Sequence, residues 1–167
     1  MTTRTYTAFT DGSCLNNGTA IARAGWGVIL RNPEGEILEL AGPLVDGYHP
    51  TNQRAELTAA IEALRAIKKP VQIILHTDSK YVVNGISEWL AKWKANGWKK
   101  ADKKPVDNTD LWQALDALLV FHQVTAYWVK GHSGHAENER ADALAGHAAQ
   151  FQKAYRKRLL ASETVSA

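Results

Sequence analysis

The chain has 167 residues, 45% of them hydrophobic and 22% charged, with a formal net charge of +3. This length and composition are typical of one soluble globular domain with a sizeable core. They exclude a membrane-spanning protein, because no apolar run approaches the roughly 20 residues that cross a bilayer, and the N-terminus lacks the form of a signal peptide. Cys14 is the only cysteine, which excludes an internal disulfide and favours a reducing, cytoplasmic location.

The charged residues are unevenly distributed. Residues 92–104 contain six lysines and one aspartate, and residues 153–158 contain four basic residues, so the remainder of the chain is net acidic. An acidic body with basic segments predicts a polyanionic partner at one face and a cation site elsewhere. Solvated surface lysines are the alternative, and charge alone favours it.

The first predicted elements are three strands. Residues 5–11 are rich in β-branched and aromatic side chains and predict a strand that ends at Asp11, after which Gly12-Ser13 turns the chain away. Residues 25–30 and 36–40 predict two more strands, and the short connections predict that all three are adjacent and antiparallel. A single aspartate at a strand end usually caps a turn, so Asp11 alone does not indicate a site.

A helix is predicted next, capped by Thr51 or Asn52 and ending near Lys68. Its apolar residues recur at helical spacing. Glu56 is expected in the first turn, where a carboxylate interacts favourably with the helix dipole. That local role would explain Glu56 without any function.

The continuous apolar run 71–75 predicts a strand buried on both faces of the sheet, and Asp78 follows it. If this strand pairs in parallel with the first, Asp11 and Asp78 become neighbours at the carboxyl edge of the sheet. Two adjacent carboxylates repel one another unless a cation or a shared proton lies between them. The pattern therefore favours a cation site.

The second half of the chain continues the alternation of helices and strands. Residues 80–98 predict two short helical pieces around Asn84-Gly85, residues 110–121 an amphipathic helix, and residues 124–129 a fifth strand.

The last predicted helix starts near Glu137, after a glycine-flanked loop. Asp142 lies inside this helix, where aspartate has a poor helix propensity, which indicates a functional reason for its presence. Residues 151–167 are polar and basic and predict a frayed helix or a disordered tail.

Five motifs in unbroken order resemble the type 1 ribonuclease H family, over about residues 5–150. Each motif alone would be weak, but the ordered set is specific. They are Thr10-Asp11-Gly12-Ser13-Cys14, Thr51-Asn52-Gln53-Arg54-Ala55-Glu56-Leu57, Thr77-Asp78-Ser79, residues 98–106, and Gly131-His132-Ser133-Gly134 followed by Asn138-Glu139 and Ala141-Asp142.

The resemblance implies an α/β fold with a five-stranded mixed sheet. Strands 1–3 would be antiparallel, strands 4 and 5 would be parallel to strand 1, and helices would flank both faces. Residues 1–150 would form the catalytic domain, with a basic protrusion at about 88–108, and residues 151–167 would form the basic tail.

The resemblance also implies that Asp11, Glu56, Asp78 and Asp142 converge on two Mg²⁺ ions, for which Mn²⁺ can substitute. Hard divalent cations prefer carboxylate oxygens, which agrees with this ligand set. Asp11 would bridge both ions, Asp142 would hold the ion on the nucleophile side, and the other two residues would hold the second ion. The implied reaction is in-line hydrolysis of the RNA strand of an RNA–DNA hybrid, leaving 5′-phosphate and 3′-hydroxyl ends.

His132 matches a family histidine that assists proton transfer or product release, and an ordinary imidazole pKa suits that role. A solvated loop histidine is the alternative. His132 and His135 also have a zinc-like spacing, but the absence of a nearby cysteine or third histidine disfavours a zinc site.

Further family positions contact the hybrid. Amide side chains both donate and accept hydrogen bonds, which suits recognition of RNA 2′-hydroxyls in the minor groove. The matching residues are Asn17, Asn52 and Gln53 for the 2′-hydroxyls, Cys14 for the groove through its backbone, Thr51 for a DNA phosphate, and Trp93, Lys94, Trp98 and Lys99, with Trp89, on the basic protrusion. An N-cap role explains Thr51 equally well, and Trp112 and Trp89 are expected to be core residues.

Two other functions remain open at this point. A DNA-directed nuclease or strand-transferase could use the same carboxylate scaffold, although it would lack the amide set and the basic protrusion. A catalytically silent hybrid-binding module would need a missing ligand, whereas all four acids and His132 are present. We expect a monomer with no obligate protein partner and no membrane association.

Overall fold

The computed structural model describes residues 4–131 and 135–159. In these residues the chain forms six strands and five α-helices. The strands are β1 (Thr5–Leu15), β2 (Arg23–Arg31), β3 (Ile37–Pro43), β4 (Gln72–Thr77), β5 (Gln123–Trp128) and β6 (Tyr155–Leu159). The helices are α1 (Asn52–Arg65), α2 (Lys80–Asn84), α3 (Leu90–Ala95), α4 (Thr109–Phe121) and α5 (Ala136–Phe151), and a π-helical turn, Gly85–Trp89, joins α2 to α3.

The strands form one mixed sheet in the order β5-β4-β1-β2-β3-β6. The pairs β1–β2 and β2–β3 are antiparallel, as their short connections predict. β4 pairs in parallel with β1, and β5 pairs in parallel with β4, because helical crossovers return the chain to the same end of the sheet. The predicted mixed α/β fold class is confirmed.

The expected number of five strands is wrong within the described residues. β6 adds a sixth strand, antiparallel to β3, with Tyr155 opposite Ala41 and Leu159 opposite Ile37. Tyr155 and Leu159 pack against an apolar cluster of the core, whereas the three basic residues between them are exposed. The basic composition of 151–167 hides this short strand, because three consecutive basic residues separate its two apolar ones; residues 160–167 lie outside the described part of the chain.

Each face of the sheet carries its own apolar cluster, because successive side chains of a strand point to opposite faces. Ala8 and Val28 belong to a cluster that α1 and α4 cover. Phe9 and Ile29, the next residues along β1 and β2, belong to a second cluster beneath α5. Helices therefore flank both faces, as predicted.

β4 is less buried than its apolar sequence predicts. Ile73, Leu75 and Thr77 are buried, but the intervening residues, including His76, are only half-buried. α5 packs on β1, β2 and β3, so this helix does not fully cover the same face of β4. The prediction of a strand buried on both faces is wrong for this reason.

The segment after Asp78 contains two short α-helices, α2 and α3, as predicted, and a π-helical turn that starts at Gly85 joins them. α2, the π-helical turn and α3 follow one another directly, and the fully buried Trp112 ring packs against Gly85. α1 ends at Arg65, three residues before the predicted end, and the Lys68 ammonium group donates to the Arg65 carbonyl at 2.9 Å. In the described residues, no helix has the length and apolar character needed to cross a bilayer.

Candidate active site

Asp11 lies where β1 loses one of its two neighbours. Parallel pairing with β4 ends at the Thr10–Thr77 pair, whereas antiparallel pairing with β2 continues to Leu15 and places Asp11 opposite Gly27. The predicted strand end at Asp11 and turn at Gly12-Ser13 are therefore wrong, because β2 keeps β1 extended. The next residue after Thr77 is Asp78, which brings both aspartates to this point of the sheet.

Two glycines beside Asp11 allow helices to approach the strands closely. A Cβ atom on Gly12 would collide with the backbone nitrogen of Glu56 in α1. A Cβ atom on Gly27, the cross-strand partner of Asp11, would collide with the carbonyl oxygen of Ala141 in α5. α1 thereby carries Glu56 to Asp11, and α5 carries Asp142, the neighbour of Ala141.

Carboxylate oxygens from Asp11, Glu56 and Asp78 lie within 4.8 Å of one another. Asp142 comes within hydrogen-bonding reach of the Asp11 carboxyl group. We call these four residues the carboxylate cluster. Asp11 is only 5% exposed, and the other three side chains are half-buried.

The crowding shifts the acidity of the two most enclosed members of the cluster. Burial, followed by the charge of Glu56 and the hydrogen bond with Asp142, raises the pKa of Asp11 far above its ordinary value. Burial also raises the pKa of Glu56, as do the charges of Asp78 and Asp142, although hydrogen bonds with Asp11 and Gly12 oppose this effect. A proton or a cation between these groups relieves their repulsion.

Glu56 lies in the second turn of α1, not in the first turn as predicted. The N-cap is Thr51, whose hydroxyl accepts a hydrogen bond from the Arg54 backbone at 3.1 Å. Interaction with the helix dipole falls off within the first turn, so helix stability does not explain Glu56. Its Oε2 atom is buried and has no hydrogen-bond partner in the described residues. An unsatisfied buried oxygen in an all-oxygen ligand set fits a hard divalent cation.

His132 lies outside the described residues, so its predicted role stays a prediction. His135, the other histidine of the zinc-like spacing, is exposed and precedes α5.

The residues predicted to read 2′-hydroxyls lie together beside α1. The Asn17 side chain accepts a hydrogen bond from the Asn52 backbone at 3.0 Å, and Asn17, Asn52 and Gln53 are all exposed. Cys14 is half-buried, and its Sγ atom is 3.7 Å from the carbonyl oxygen of Pro50, just before Thr51. The turn after β1 and the start of α1 thus form one continuous polar surface.

The tryptophans of the predicted basic protrusion are less exposed than expected. Trp93 and Trp98 are half-buried and pack against the core, and the Trp93 ring centre is 5.2 Å from that of Trp112. Lys94 pairs with Asp116 of α4 at 3.2 Å, while Lys99 is exposed. Trp112 is fully buried, as predicted.

Sequence reasoning missed Arg54, which is 4% exposed. Its guanidinium donates to both oxygens of Asp110, at 3.0 and 2.7 Å, and to Asp46 at 2.8 Å, and it stacks on the Tyr48 ring. A cation in the first turn of a helix opposes the helix dipole. That unfavourable placement was a signal in the sequence that Arg54 has acidic partners.

Trp128 and Lys80 were also missed. Trp128 lies opposite Thr77 in the sheet, and its indole Nε1 atom donates to the Asp78 carbonyl at 3.0 Å. The Lys80 ammonium group lies 4.6 Å from the centre of the Trp128 ring. The hydrogen bond from Trp128 therefore anchors the backbone at Asp78, and Lys80 packs on the ring that makes it.

Comparisons with known proteins agree over most of the chain. A family model described as RNase H matches residues 3–150. A Ribonuclease H from Halorhodospira halophila is 56% identical over 138 residues, which cover 83% of this chain and 88% of the relative. A Ribonuclease H from Ralstonia nicotianae is 50% identical over 147 residues, covering 88% and 93%. The crystal structure of LC9-RNase H1, described as a type 1 RNase H with the type 2 active-site motif, aligns with a TM-score of 0.79 at 33% identity, covering 92% of this chain and 76% of that chain.

Substituting Gly27 by Ala should displace α5 and destabilise the protein by about 1–3 kcal/mol, because the added methyl group meets backbone rather than a flexible side chain. The matched control is Gly146→Ala in the same helix, where a Cβ atom meets nothing within 4 Å and the gain in helix propensity is up to about 1 kcal/mol. Urea unfolding measures the free energy of unfolding of both variants. Equal stability of the two variants would contradict close packing at Gly27.

The raised carboxyl pKa values mean that the folded protein without metal holds more protons than the unfolded chain above about pH 4. Its free energy of unfolding should therefore decrease as the pH rises from 5 to 8. Asp11→Asn should reduce that dependence and raise the free energy of unfolding at pH 8 by about 1–3 kcal/mol. Urea unfolding in chelator measures this, with the exposed Asp107→Asn as control; an unchanged pH dependence in Asp11→Asn would refute the crowding.

Proposed function

The chain belongs to the ribonuclease H family, and from this premise we propose that it hydrolyses the RNA strand of RNA–DNA hybrids with two Mg²⁺ ions, leaving 5′-phosphate and 3′-hydroxyl ends. Family membership makes the chain an enzyme, an endoribonuclease. The observation that carries the proposal is the approach of carboxylate oxygens from Asp11, Glu56 and Asp78 to within 4.8 Å of one another. Such a group of anions fits divalent cations and no apolar ligand.

Each member of the carboxylate cluster has a proposed role. Asp11 would contact both ions, since its carboxylate lies beside those of Glu56 and Asp78 and within hydrogen-bonding reach of Asp142. Glu56 and Asp78 would hold one ion, and Asp142 would help to hold the ion on the nucleophile side. When bound, Mg²⁺ activates water and neutralises the charge that develops on the leaving oxygen, and Mn²⁺ could substitute. The protein contributes carboxylates fixed on one strand, just after a second strand, and on two helices.

We propose His132 as the residue that assists proton transfer or product release. Its support is the sequence, which places it in a glycine-flanked loop shortly before α5. An imidazole of ordinary pKa can accept and release a proton near neutral pH.

The exposed amides of Asn17, Asn52 and Gln53 are proposed to read the 2′-hydroxyls of the RNA strand. The hydrogen bond from the Asn52 backbone to Asn17 supports a shared surface, because it ties the turn after β1 to the start of α1. Cys14 would line the same groove through its backbone. Thr51 would contact a DNA phosphate, in addition to its role as N-cap.

The basic protrusion is proposed to contact the DNA strand through Trp93, Lys94, Trp98 and Lys99. The exposed lysines provide positive charge, and the half-buried tryptophans anchor the segment to the core. We also propose that residues 1–150 act as the catalytic domain, that the protein works as a cytoplasmic monomer, and that it needs no protein partner.

Asp78→Asn should abolish cleavage and leave the fold intact, because it removes a ligand and relieves repulsion. The assay compares a labelled RNA–DNA hybrid, an RNA duplex and a DNA duplex, each with Mg²⁺ or chelator. We expect Mg²⁺-dependent cleavage of the RNA in the hybrid alone. Glu34→Gln, which changes an exposed acid outside the cluster and the protrusion, serves as the control and should keep full activity; retained activity in Asp78→Asn, or cleavage of duplex DNA at the rate of hybrid, would count against the proposal.

Replacing Lys94, Lys99 and Lys100 together by Ala should raise KM for the hybrid and flatten its salt dependence, by a slope of roughly 0.9 for each phosphate contact that is lost. A control that removes the same charge elsewhere replaces the exposed Lys68, Lys69 and Lys153. Steady-state kinetics at several salt concentrations measure both. If the salt dependence of KM had the same slope in the two triple variants, the protrusion would not be part of the binding surface.

A further inference from the structure

Glu39 is an acidic residue buried in the middle of β3, with 2% of its surface exposed. In the sheet it lies opposite Ile29 of β2 and Lys157 of β6. An ionised carboxylate is costly to bury unless it is paired and hydrogen-bonded. The proposed reaction gives Glu39 no direct role, so the reason for its burial has to be sought in its hydrogen-bond partners.

The partners of Glu39 come from two other elements. Arg140 of α5 donates from Nε to Oε2 at 2.9 Å and from a terminal guanidinium nitrogen to Oε1 at 3.1 Å. The Tyr155 hydroxyl of β6 also donates to Oε1, at 3.1 Å. Burial alone would raise the pKa of Glu39, but these hydrogen bonds and the charges of Arg140 and Lys157 lower it. The carboxylate is therefore ionised and joins β3, β6 and α5.

Arg140 precedes Asp142 by two residues on α5, a rise of about 3 Å along the helix axis. The contact with Glu39 therefore holds the turn of α5 that carries the fourth acid of the carboxylate cluster. A second ion pair, between Arg31 of β2 and Glu137, holds the first turn of the same helix.

The apolar packing of α5 on the sheet restrains the helix in a different way from the Arg140–Glu39 contact. The helix backbone at Ala141, Ala145 and Ala148 rests directly on Gly25 and Gly27, and Leu144 packs beside it in the apolar cluster. The backbone contacts at the glycines set the distance of the helix from the sheet. The bidentate contact between Arg140 and Glu39 adds a directional restraint, which fixes rotation of the helix about its axis.

We propose that Glu39, held between Arg140 and Tyr155, is a positioning residue for Asp142, and that β6 thereby supports the carboxylate cluster. The inference rests on the proposed role of Asp142 as a metal ligand. Glu39 lies outside the cluster and acts by orienting the helix on which one ligand is mounted.

The test compares Glu39→Gln, which keeps the shape and removes the charge, with Tyr155→Phe, which removes one hydrogen bond and keeps the ring. Two readouts are the Mg²⁺ concentration that gives half-maximal cleavage of the hybrid and the rise in melting temperature on adding Mg²⁺. For Glu39→Gln we expect a half-maximal Mg²⁺ concentration about tenfold higher, a smaller thermal response to Mg²⁺, and an unchanged KM for the hybrid. Tyr155→Phe should shift both readouts in the same direction by less.

The matched control is Glu34→Gln, which breaks the exposed pair between Arg4 and Glu34 and should move neither readout. A lower melting temperature with unchanged Mg²⁺ dependence in both Glu39→Gln and Tyr155→Phe would overturn the positioning role. If Glu39→Gln does not fold, Tyr155→Phe decides alone. Asp142→Asn separates the two proposals: its full activity would refute the metal role of Asp142, whereas its inactivity beside unaffected Glu39→Gln and Tyr155→Phe variants would refute only the positioning role.

Discussion

Repulsion among buried carboxylates is the constraint on which the candidate site depends. Asp11 is nearly inaccessible to solvent, yet carboxylate oxygens of Glu56 and Asp78 lie close to it and Asp142 comes within hydrogen-bonding reach. Like charges at such distances are tolerated only when a proton or a cation lies between them. The cluster is therefore stable either protonated or with a cation bound, and the proposed function requires the cation-bound form.

The fold produces this crowding with simple means. β1 loses its parallel neighbour after Thr10 but keeps its antiparallel one, which opens room beside Asp11 without ending the strand. Gly12 then lets α1 approach the sheet closely, and Gly27 does the same for α5. Glu39 of β3 ties the same helix, through Arg140, to β3 and, through Tyr155, to β6. Most of these features set the positions of α1 and α5. Small steric changes at a distance from the acids should therefore change the geometry of the carboxylate cluster.

The sequence predicts the parts of the site that depend on local pattern. An apolar run followed by Asp78 indicates a strand end, and parallel pairing with β1 follows from the helical crossover, so the meeting of Asp11 and Asp78 could be predicted. The extension of β1 to Leu15 could not, since it depends on the length of β2. β6 was hidden because three of its five residues are basic, and the burial of Glu39 and Arg54 depends on partners that are distant in sequence.

The most direct measurement of the central claim is the position of bound metal in crystals soaked with Mn²⁺, located by anomalous scattering. Our account predicts metal coordinated by carboxylate oxygens of Asp11, Glu56 and Asp78, at the roughly 2.0–2.4 Å expected for a hard divalent cation. Metal bound only elsewhere on the protein would contradict it.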